Sequence, residues 1–426
     1  MAGPGIRYYH FARELSKTHD VTLVVPNRDS RLDEDFAVVA TPDFGFGSFR
    51  ALARQADVVV AQHLGPITTT YLSRLDAKTI YDLYVPSATE NLPLHAGEGG
   101  RSSYRRLAYG SNAATQRLAL AAGDAFICAS ERQRDLWLGT LSALGRIELD
   151  RFAADPSLRD LIDVVPFGTE AEAPRQTRRV LKGVVDGIGE QDKVLLWGGG
   201  IFNWFDPLTA IRAMKHVAAS REDVKLFFLG VRHPNPVVGT TRMASEAMTL
   251  SDSLGLTGRQ VFFNDEWVPY HERQNYFLEA DIGVSAHFDT VETRFAFRTR
   301  LLDYFWAGLP CVVTQGDVLG DLVAERALGR TVGFEDVDGW VEAIVSLVDD
   351  PAACEAARER VREVRGAFLW PRIVENLARL VDLPRTSRPS AWRLSPRLAD
   401  YYAHAGGSAV VNPSVLVETV RRRWRP

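Results

Sequence analysis

Three arginines fall within seven residues in Glu292-Thr-Arg-Phe-Ala-Phe-Arg-Thr-Arg300: Arg294, Arg298 and Arg300. The flanking pattern predicts a strand at Ile282–Ser285, a helix from about Arg298 to Ala307, and a second strand at Cys311–Thr314. Gly308 and Pro310 close the helix. A helix that opens just beyond a parallel strand aims unpaired N–H groups and its positive dipole end at the sheet's crevice. Cations gathered there suit a phosphate or diphosphate. The plainer reading, arginines that only solvate a helix start, leaves like charges at the positive end with no anion to offset them.

A glycine run, Gly198, Gly199 and Gly200, follows the apolar stretch Val194–Trp197, and Asp206-Pro207 supplies an N-cap and first-turn proline for the next helix. Such a run lets backbone approach a ligand closely. In the first half, Gly3, Gly5 and Arg7 read as a loop-to-helix junction. Asp82 and Tyr84 end a strand, and His63 follows another. All of these belong at carboxyl ends of strands, where doubly wound sheets bind ligands. His63 reads more readily as an ordinary hydrogen-bonded histidine than as a catalyst. No cluster of His, Cys or acidic residues has metal-ligand spacing, and Asp33-Glu-Asp35 and Asp336-Val-Asp338 read as solvated turns. The G-x-x-x-x-G-K-[ST] signature of an ATPase and the G-x-G-x-x-G of a dehydrogenase are both lacking.

The elements that would hold these residues alternate throughout: short β-branched runs, then helical patterns, as in parallel sheets wrapped by helices. Strands are predicted at Val21–Pro26, Phe36–Ala40, Val58–Ala61, Thr79–Tyr84, Ala125–Ala129 and Ile162–Val165 in the first half. In the second they fall at Val194–Trp197, Lys225–Gly230, Val261–Asn264, Ile282–Ser285 and Cys311–Thr314. The segment Thr169–Lys193 reads as polar and then helical, with a pivot near Pro166-Phe-Gly168. Helices are expected at Ala352–Arg365 and Pro371–Val381, broken at Trp370-Pro371. The expected division is 1–168, 169–370 and a closing segment 371–426. The apolar strand that should open a doubly wound domain is missing, which predicts an upstream segment of roughly 15–20 residues.

With 426 residues, 46% hydrophobic and 24% charged, the chain can build two cores, and its formal charge of −4 argues against a general nucleic-acid binder. There is no apolar run of membrane-spanning length and no signal-peptide pattern at Met1. Cys128, Cys311 and Cys354 read as buried thiols of a reducing compartment. Only six lysines occur, none beyond Lys225, so a cation gripping a diphosphate later in the chain must be an arginine. The end, Arg421-Arg-Arg-Trp-Arg425, suits either solvent or an anionic membrane surface.

The helix with Ala307-Gly-Leu-Pro310 and its following strand resembles the donor-site element of retaining family-4 glycosyltransferases of the GT-B fold. Gly3-Pro-Gly-Ile-Arg7, Val164-Val-Pro-Phe-Gly168, Leu196-Trp-Gly-Gly-Gly200, Asp82-Leu-Tyr84 and Ala129-Ser-Glu-Arg-Gln133 extend the resemblance over residues 1–382. It implies an α/β architecture of two Rossmann-like, doubly wound domains facing across a cleft, with the acceptor on the N-terminal side and the nucleotide sugar on the other. Near residue 371 the chain would cross back to the N-terminal domain.

Two departures stand out. Of the family's E-x7-E pair, the second glutamate falls on Asp303, a candidate for ribose hydroxyls, while the first falls on Phe295; Glu292 is the nearest replacement. Where relatives carry an arginine and a lysine after the glycines, this chain has Ile201-Phe-Asn-Trp-Phe205, which makes Arg298 and Arg300 the substitutes, with backbone amides up to Phe297. Asn264-Asp-Glu-Trp-Val-Pro269 would meet the nucleobase through Trp267 and Val268, although Trp267 reads as well as plain packing. Asp82 would orient or neutralise the acceptor hydroxyl, with Gly3, Gly5, Arg7, His63 and Tyr84 around it.

The implied activity is metal-independent transfer of a sugar from a nucleotide diphosphate sugar, with retention, by a cytoplasmic enzyme, in contact with the inner membrane face if the basic tail binds it. The donor is a co-substrate and no cofactor is called for; the acceptor is a small molecule, glycan or lipid-linked sugar. Two other readings stay open: a nucleotide-sugar epimerase or phosphorylase of the same fold, and a non-catalytic partner subunit.

Overall fold

The structure, a computed structural model, describes residues 3–26, 34–41, 46–62, 64–90, 92, 102–231, 240–266, 268–385 and 391–411. The chain forms two compact units, one of residues 167–370 and one joining residues up to 166 with those from 371 onward.

In the N-terminal unit, helix α1 (Gly3–Leu15) precedes strands β1 (Thr22–Val25) and β2 (Ala37–Ala40), which pair in parallel as a two-stranded sheet. Strands β3 (Val58–Ala61), β4 (Lys78–Asp82), β5 (Ala125–Cys128) and β6 (Ile162–Val164) form a separate parallel sheet in sequence order. Every residue of β4 and β5 is buried, as expected of strands covered on both faces. Helix α2 (Ser102–Ala122) covers this sheet with the buried run Leu118–Ala122. Helix α3 (Glu131–Ala143) opens on Ser130, whose side chain accepts from the Gln133 amide. The Gln133 carboxamide accepts from Ala129 N at 2.8 Å and donates to Tyr84 O at 2.9 Å. That variant of the capping box ties the end of β5 to the turn after β4.

The expected loop at Gly3-Pro-Gly-Ile-Arg7 is in fact the first turn of α1: Pro4 sits where a missing N–H costs nothing and its fixed φ suits the helix.

The second unit holds one six-stranded parallel sheet: β7 (Lys193–Gly200), β8 (Val224–Gly230), β9 (Val261–Phe263), β10 (Ile282–Ser285), β11 (Cys311–Thr314) and β12 (Gly329–Val332). Its order is β12-β11-β10-β7-β8-β9, so the winding reverses between β10 and β7. Doubly wound sheets bind ligands beyond the carboxyl ends of the strands at such a reversal. Helix α4 (Pro207–Val217) is capped by the Asp206 carboxylate on Thr209 N. A short helix α5 (Val291–Phe295) precedes α6 (Arg300–Ala307), which ends on Gly308 at φ +70° with Leu309 N bonded to Tyr304 O. Helix α7 (Val318–Glu325) follows β11.

Three expectations change here. Strand β7 runs on through the glycines, with its pairing to β8 irregular between Trp197 and Gly200. Residues 169–192 contain no helix, because Val180–Leu181 and the glycines at 183, 187 and 189 turn back on themselves through short-range bonds such as Gly183 N to Ile188 O. The helix expected from Arg298 starts two residues later, after the α5 turn.

Helix α8 (Pro351–Arg365) passes through a 3-10 turn at Gly366–Phe368 into α9 (Trp370–Asp382). From Pro371 the chain belongs to the N-terminal unit, where the Lys78 ammonium takes the Leu383 carbonyl at 2.7 Å and Arg379 pairs with Asp163 at 2.9 Å. These cations match the carboxyl end of a helix dipole or a buried acid. The last helix, α10 (Ala391–Val411), lies along α2 and is tied to it by Arg117–Asp400 at 2.6 Å. The basic end at 421–425 lies outside the described residues.

Candidate active site

At the reversal point the ends of β7 and β10 are joined by a side chain from α6. The Tyr304 hydroxyl accepts from Gly198 N at 2.9 Å and donates to Val284 O at 2.7 Å, with Leu196 O also in reach at 2.9 Å. The ring fits only because both strands carry glycine. A Cβ on Gly198 would lie 2.9 Å from the Tyr304 ring and 2.6 Å from Phe277, and one on Gly283 would lie 2.5 Å from Tyr304. One residue on, Gly199 has φ +146°, a conformation that side-chain-bearing residues rarely adopt.

Arg300, the first residue of α6, extends to this tip. Its Nη2 donates to Gly200 O at 2.7 Å, and its guanidinium carbon lies 3.9 Å from the centre of the Phe205 ring and 4.8 Å from that of Trp197. The residue is only 9% exposed, and Nη1 is buried without a hydrogen-bond partner. Burial lowers its pKa to about 10, with a smaller contribution from Arg298, so it stays cationic at neutral pH. A buried cation with an unused donor has room for an acceptor, an anion or an ordered water, since each such group costs free energy when left unsatisfied.

Arg298 differs from the expectation that it would face the same anion. Its Nη1 and Nη2 bind the two Glu292 oxygens at 2.9 and 2.6 Å in a buried forked pair. The α5 turn directs Glu292 inward, and that carboxylate, expected on a sugar, is occupied by Arg298. Arg294 is exposed and Phe297 half-buried. Asp303, expected at a ribose, pairs with Arg273 at 3.2 Å and keeps 32% of its side chain exposed.

Two groups here escaped the sequence reading. His287, past the end of β10, binds Gln315 O through Nε2 at 3.2 Å and has Asp317 Oδ2 at 3.7 Å. Burial and then Arg298 push its pKa down to about 3, so the ring is neutral. Burial pushes Asp317 up to about 6, against the pull of Arg298, while its Oδ1 caps α7 at Leu319 and Gly320 N. The Asp-before-helix pattern at 317 was a readable cap signal. Nothing in the spacing marked His287.

This strand-end geometry lies inside residues 192–350, which match the family described as glycosyl transferases group 1. The chain as a whole has the two-domain GT-B fold. It is similar to WaaG, a glycosyltransferase involved in lipopolysaccharide biosynthesis, at 15% identity and TM-score 0.61, over 90% of this chain and 96% of the other. Against Anabaena HepE, solved with UDP and glucose, the values are 11% and 0.63, over 89% and 96%. For sucrose-phosphate synthase of Thermosynechococcus elongatus they are 14% and 0.59, over 89% and 92%. No curated protein matches the chain.

In the N-terminal unit the expected polar residues serve one another. Arg7 Nε and Nη2 clasp Asp82 at 2.7 and 3.0 Å, and the remaining donors take Val165 O at 2.8 Å and Pro166 O at 2.6 Å. Both side chains are fully buried. Asp82, expected to act on an acceptor hydroxyl, is held inside the unit by that ion pair. The Arg7 guanidinium also lies over the Tyr84 ring at 4.8 Å. Burial raises the Tyr84 pKa, with Asp82 adding to the rise, so the phenol remains a proton donor. Gly3 and Gly5 are exposed at the start of α1, and a Cβ on Gly3 would lie 3.8 Å from the Tyr84 hydroxyl. Val268 is half-buried; Trp267 and His63 lie outside the described residues. Among the described residues no group of three or more His, Cys, Asp or Glu is placed to hold a metal ion, and no helix is long and apolar enough to cross a membrane.

Proposed function

We propose that this protein transfers a sugar from a nucleotide diphosphate sugar to a hydroxyl-bearing acceptor, with retention and without a metal ion. The observation that carries the reading is Arg300: a buried guanidinium at the reversal point of the sheet, with Nη1 unpartnered. Breaking the anomeric C–O bond leaves both electrons on the diphosphate, and a fixed cation lowers the energy of that developing charge. Because the arginine is already desolvated and anchored to Gly200, little reorganisation is needed as the charge appears. For retention, the acceptor oxygen attacks the anomeric carbon from the side the diphosphate leaves, and its proton passes to the departing phosphate oxygen.

HepE has been solved with UDP-glucose, which makes UDP-sugars the first donors to test. Asp303 is the ribose-facing candidate because its carboxylate is part-exposed one turn along α6 from Arg300. The acceptor belongs to the N-terminal unit, near the Gly3 end of α1 and Tyr84.

The test is thermal shift and turnover across UDP-, GDP-, ADP- and dTDP-sugars, with and without EDTA, followed by NMR of the product anomer. Stabilisation by one donor, EDTA-insensitive turnover and a retained anomer are expected. Turnover abolished by EDTA, or an inverted product, overturns the mechanism. Donor binding with no turnover in any acceptor mixture would favour a non-catalytic partner subunit instead.

A further inference from the structure

Arg300 is not held where it is by an acid. Among the described residues no carboxylate lies within ion-pair distance of it. What it touches is one backbone carbonyl and two aromatic faces, and the nearer face, Phe205 at 3.9 Å, is shared with Arg298 at 5.0 Å. Two like charges on one ring repel each other, and Arg298 accordingly lowers the Arg300 pKa. The bidentate Glu292 offsets the charge of Arg298 and not that of Arg300.

Phe205 is itself fixed. Its backbone pairs antiparallel with His287 beyond β10, Asp206 N bonds to Ala286 O at 2.9 Å, and its ring meets Trp197 edge-on at 5.7 Å. The segment Ile201–Phe205, which replaces the arginine and lysine expected after β7, therefore supplies an aromatic wall while the cation arrives from α6.

We infer that Phe205 is a positioning residue for donor binding. Its ring, shared with the Glu292–Arg298 pair, holds the Arg300 guanidinium against Gly200 so that Nη1 is presented to the diphosphate. The inference rests on the donor-site reading above. A guanidinium held against an aromatic face spends none of its N–H groups on that contact, whereas an acid partner would consume them. The arrangement leaves Arg300 without a directly paired acid until the diphosphate binds, Asp303 acting on it only at longer range.

The test uses Phe205→Leu, Phe205→Tyr and Glu292→Gln in the full chain, with inorganic diphosphate and UDP as calorimetric probes and donor KM and kcat read separately. Phe205→Leu should weaken diphosphate binding about 10-fold and raise donor KM. Phe205→Tyr, which keeps the aromatic face, should bind within about 3-fold of the parent. Glu292→Gln, judged at a temperature where circular dichroism shows it folded, should loosen Arg298 and make diphosphate affinity more salt-sensitive. If Phe205→Leu binds diphosphate as the parent does, or Phe205→Tyr fails as badly as Phe205→Leu while folded, the positioning role is wrong. If the parent itself binds neither probe, the donor-site reading falls first, which separates the two failures.

Discussion

Arg300 donates to the Gly200 carbonyl at 2.7 Å across a hundred residues of sequence, joining the first turn of α6 to the tip of β7. Burying a charge this way costs stability that only a bound anion returns. Arg300→Met should therefore melt at or above the temperature of the parent protein while losing donor-induced thermal shift. Arg300→Lys keeps the charge but not the fork, so it cannot hold Gly200 and present a second donor together. It should lose about 10-fold in donor affinity. Differential scanning fluorimetry with and without the donor measures both. A large fall in melting temperature for Arg300→Met, with donor shift intact, would mean the arginine is structural.

The strands were legible where a buried run was bounded by turn residues, as at Ile282–Ser285 and Cys311–Thr314, whose ends match the prediction. Strand β12, of the same length, is not legible because Arg330 and Thr331 interrupt its apolar pattern and are only half-buried. The arginine cluster at the start of α6 was visible from type and spacing. What each arginine would do was not, because that depended on how α5 turns Glu292 inward, and a five-residue helix leaves no periodic signal. The pairing of Arg7 with Asp82, 75 residues apart, is hidden for the same kind of reason: both residues stand out in the sequence, but their contact is a property of the fold.

That pairing has a measurable consequence. Asp82→Ala leaves the Arg7 guanidinium buried with only the Val165 and Pro166 carbonyls, and breaking such a pair costs about 3–5 kcal/mol. Replacing both partners, Arg7→Met with Asp82→Leu, should cost clearly less than the single change. Urea denaturation gives the comparison. An Asp82→Ala protein of unchanged stability and lost turnover would restore Asp82 to the acceptor hydroxyl.

Tyr304 is a sharper probe, because Tyr304→Phe removes one oxygen and little volume. The Gly198 N–H then loses its partner in a buried strand end, at about 1–3 kcal/mol. The ends of β7 and β10 also lose their common tie, and the Gly199–Gly200 tip that anchors Arg300 should loosen. Both a lower urea midpoint and a raised donor KM are expected. A raised KM without the stability loss would place the hydroxyl on the ligand rather than between the strands.

The burial of His287 and Asp317 predicts an opposed pair of pH dependences. His287 titrates at about 3 in the folded protein and near 6.5 when unfolded, so below pH 6.5 the unfolded chain takes the proton first. Its contribution to stability is lost as pH falls through that window, by up to about 1.4 kcal/mol per unit. Asp317 runs the other way: raised to about 6 from 3.8, it binds a proton in the folded state first, so acidification from about 6 to 4 favours folding. In the parent protein the two slopes offset each other between pH 4 and 6. His287→Gln should expose the Asp317 slope, with stability rising as pH falls. Asp317→Asn, which can still cap α7, should expose the histidine and steepen the acid loss. Urea midpoints at pH 4, 5, 6 and 7 for the three proteins test this, and parallel curves would show that neither group titrates as its burial requires.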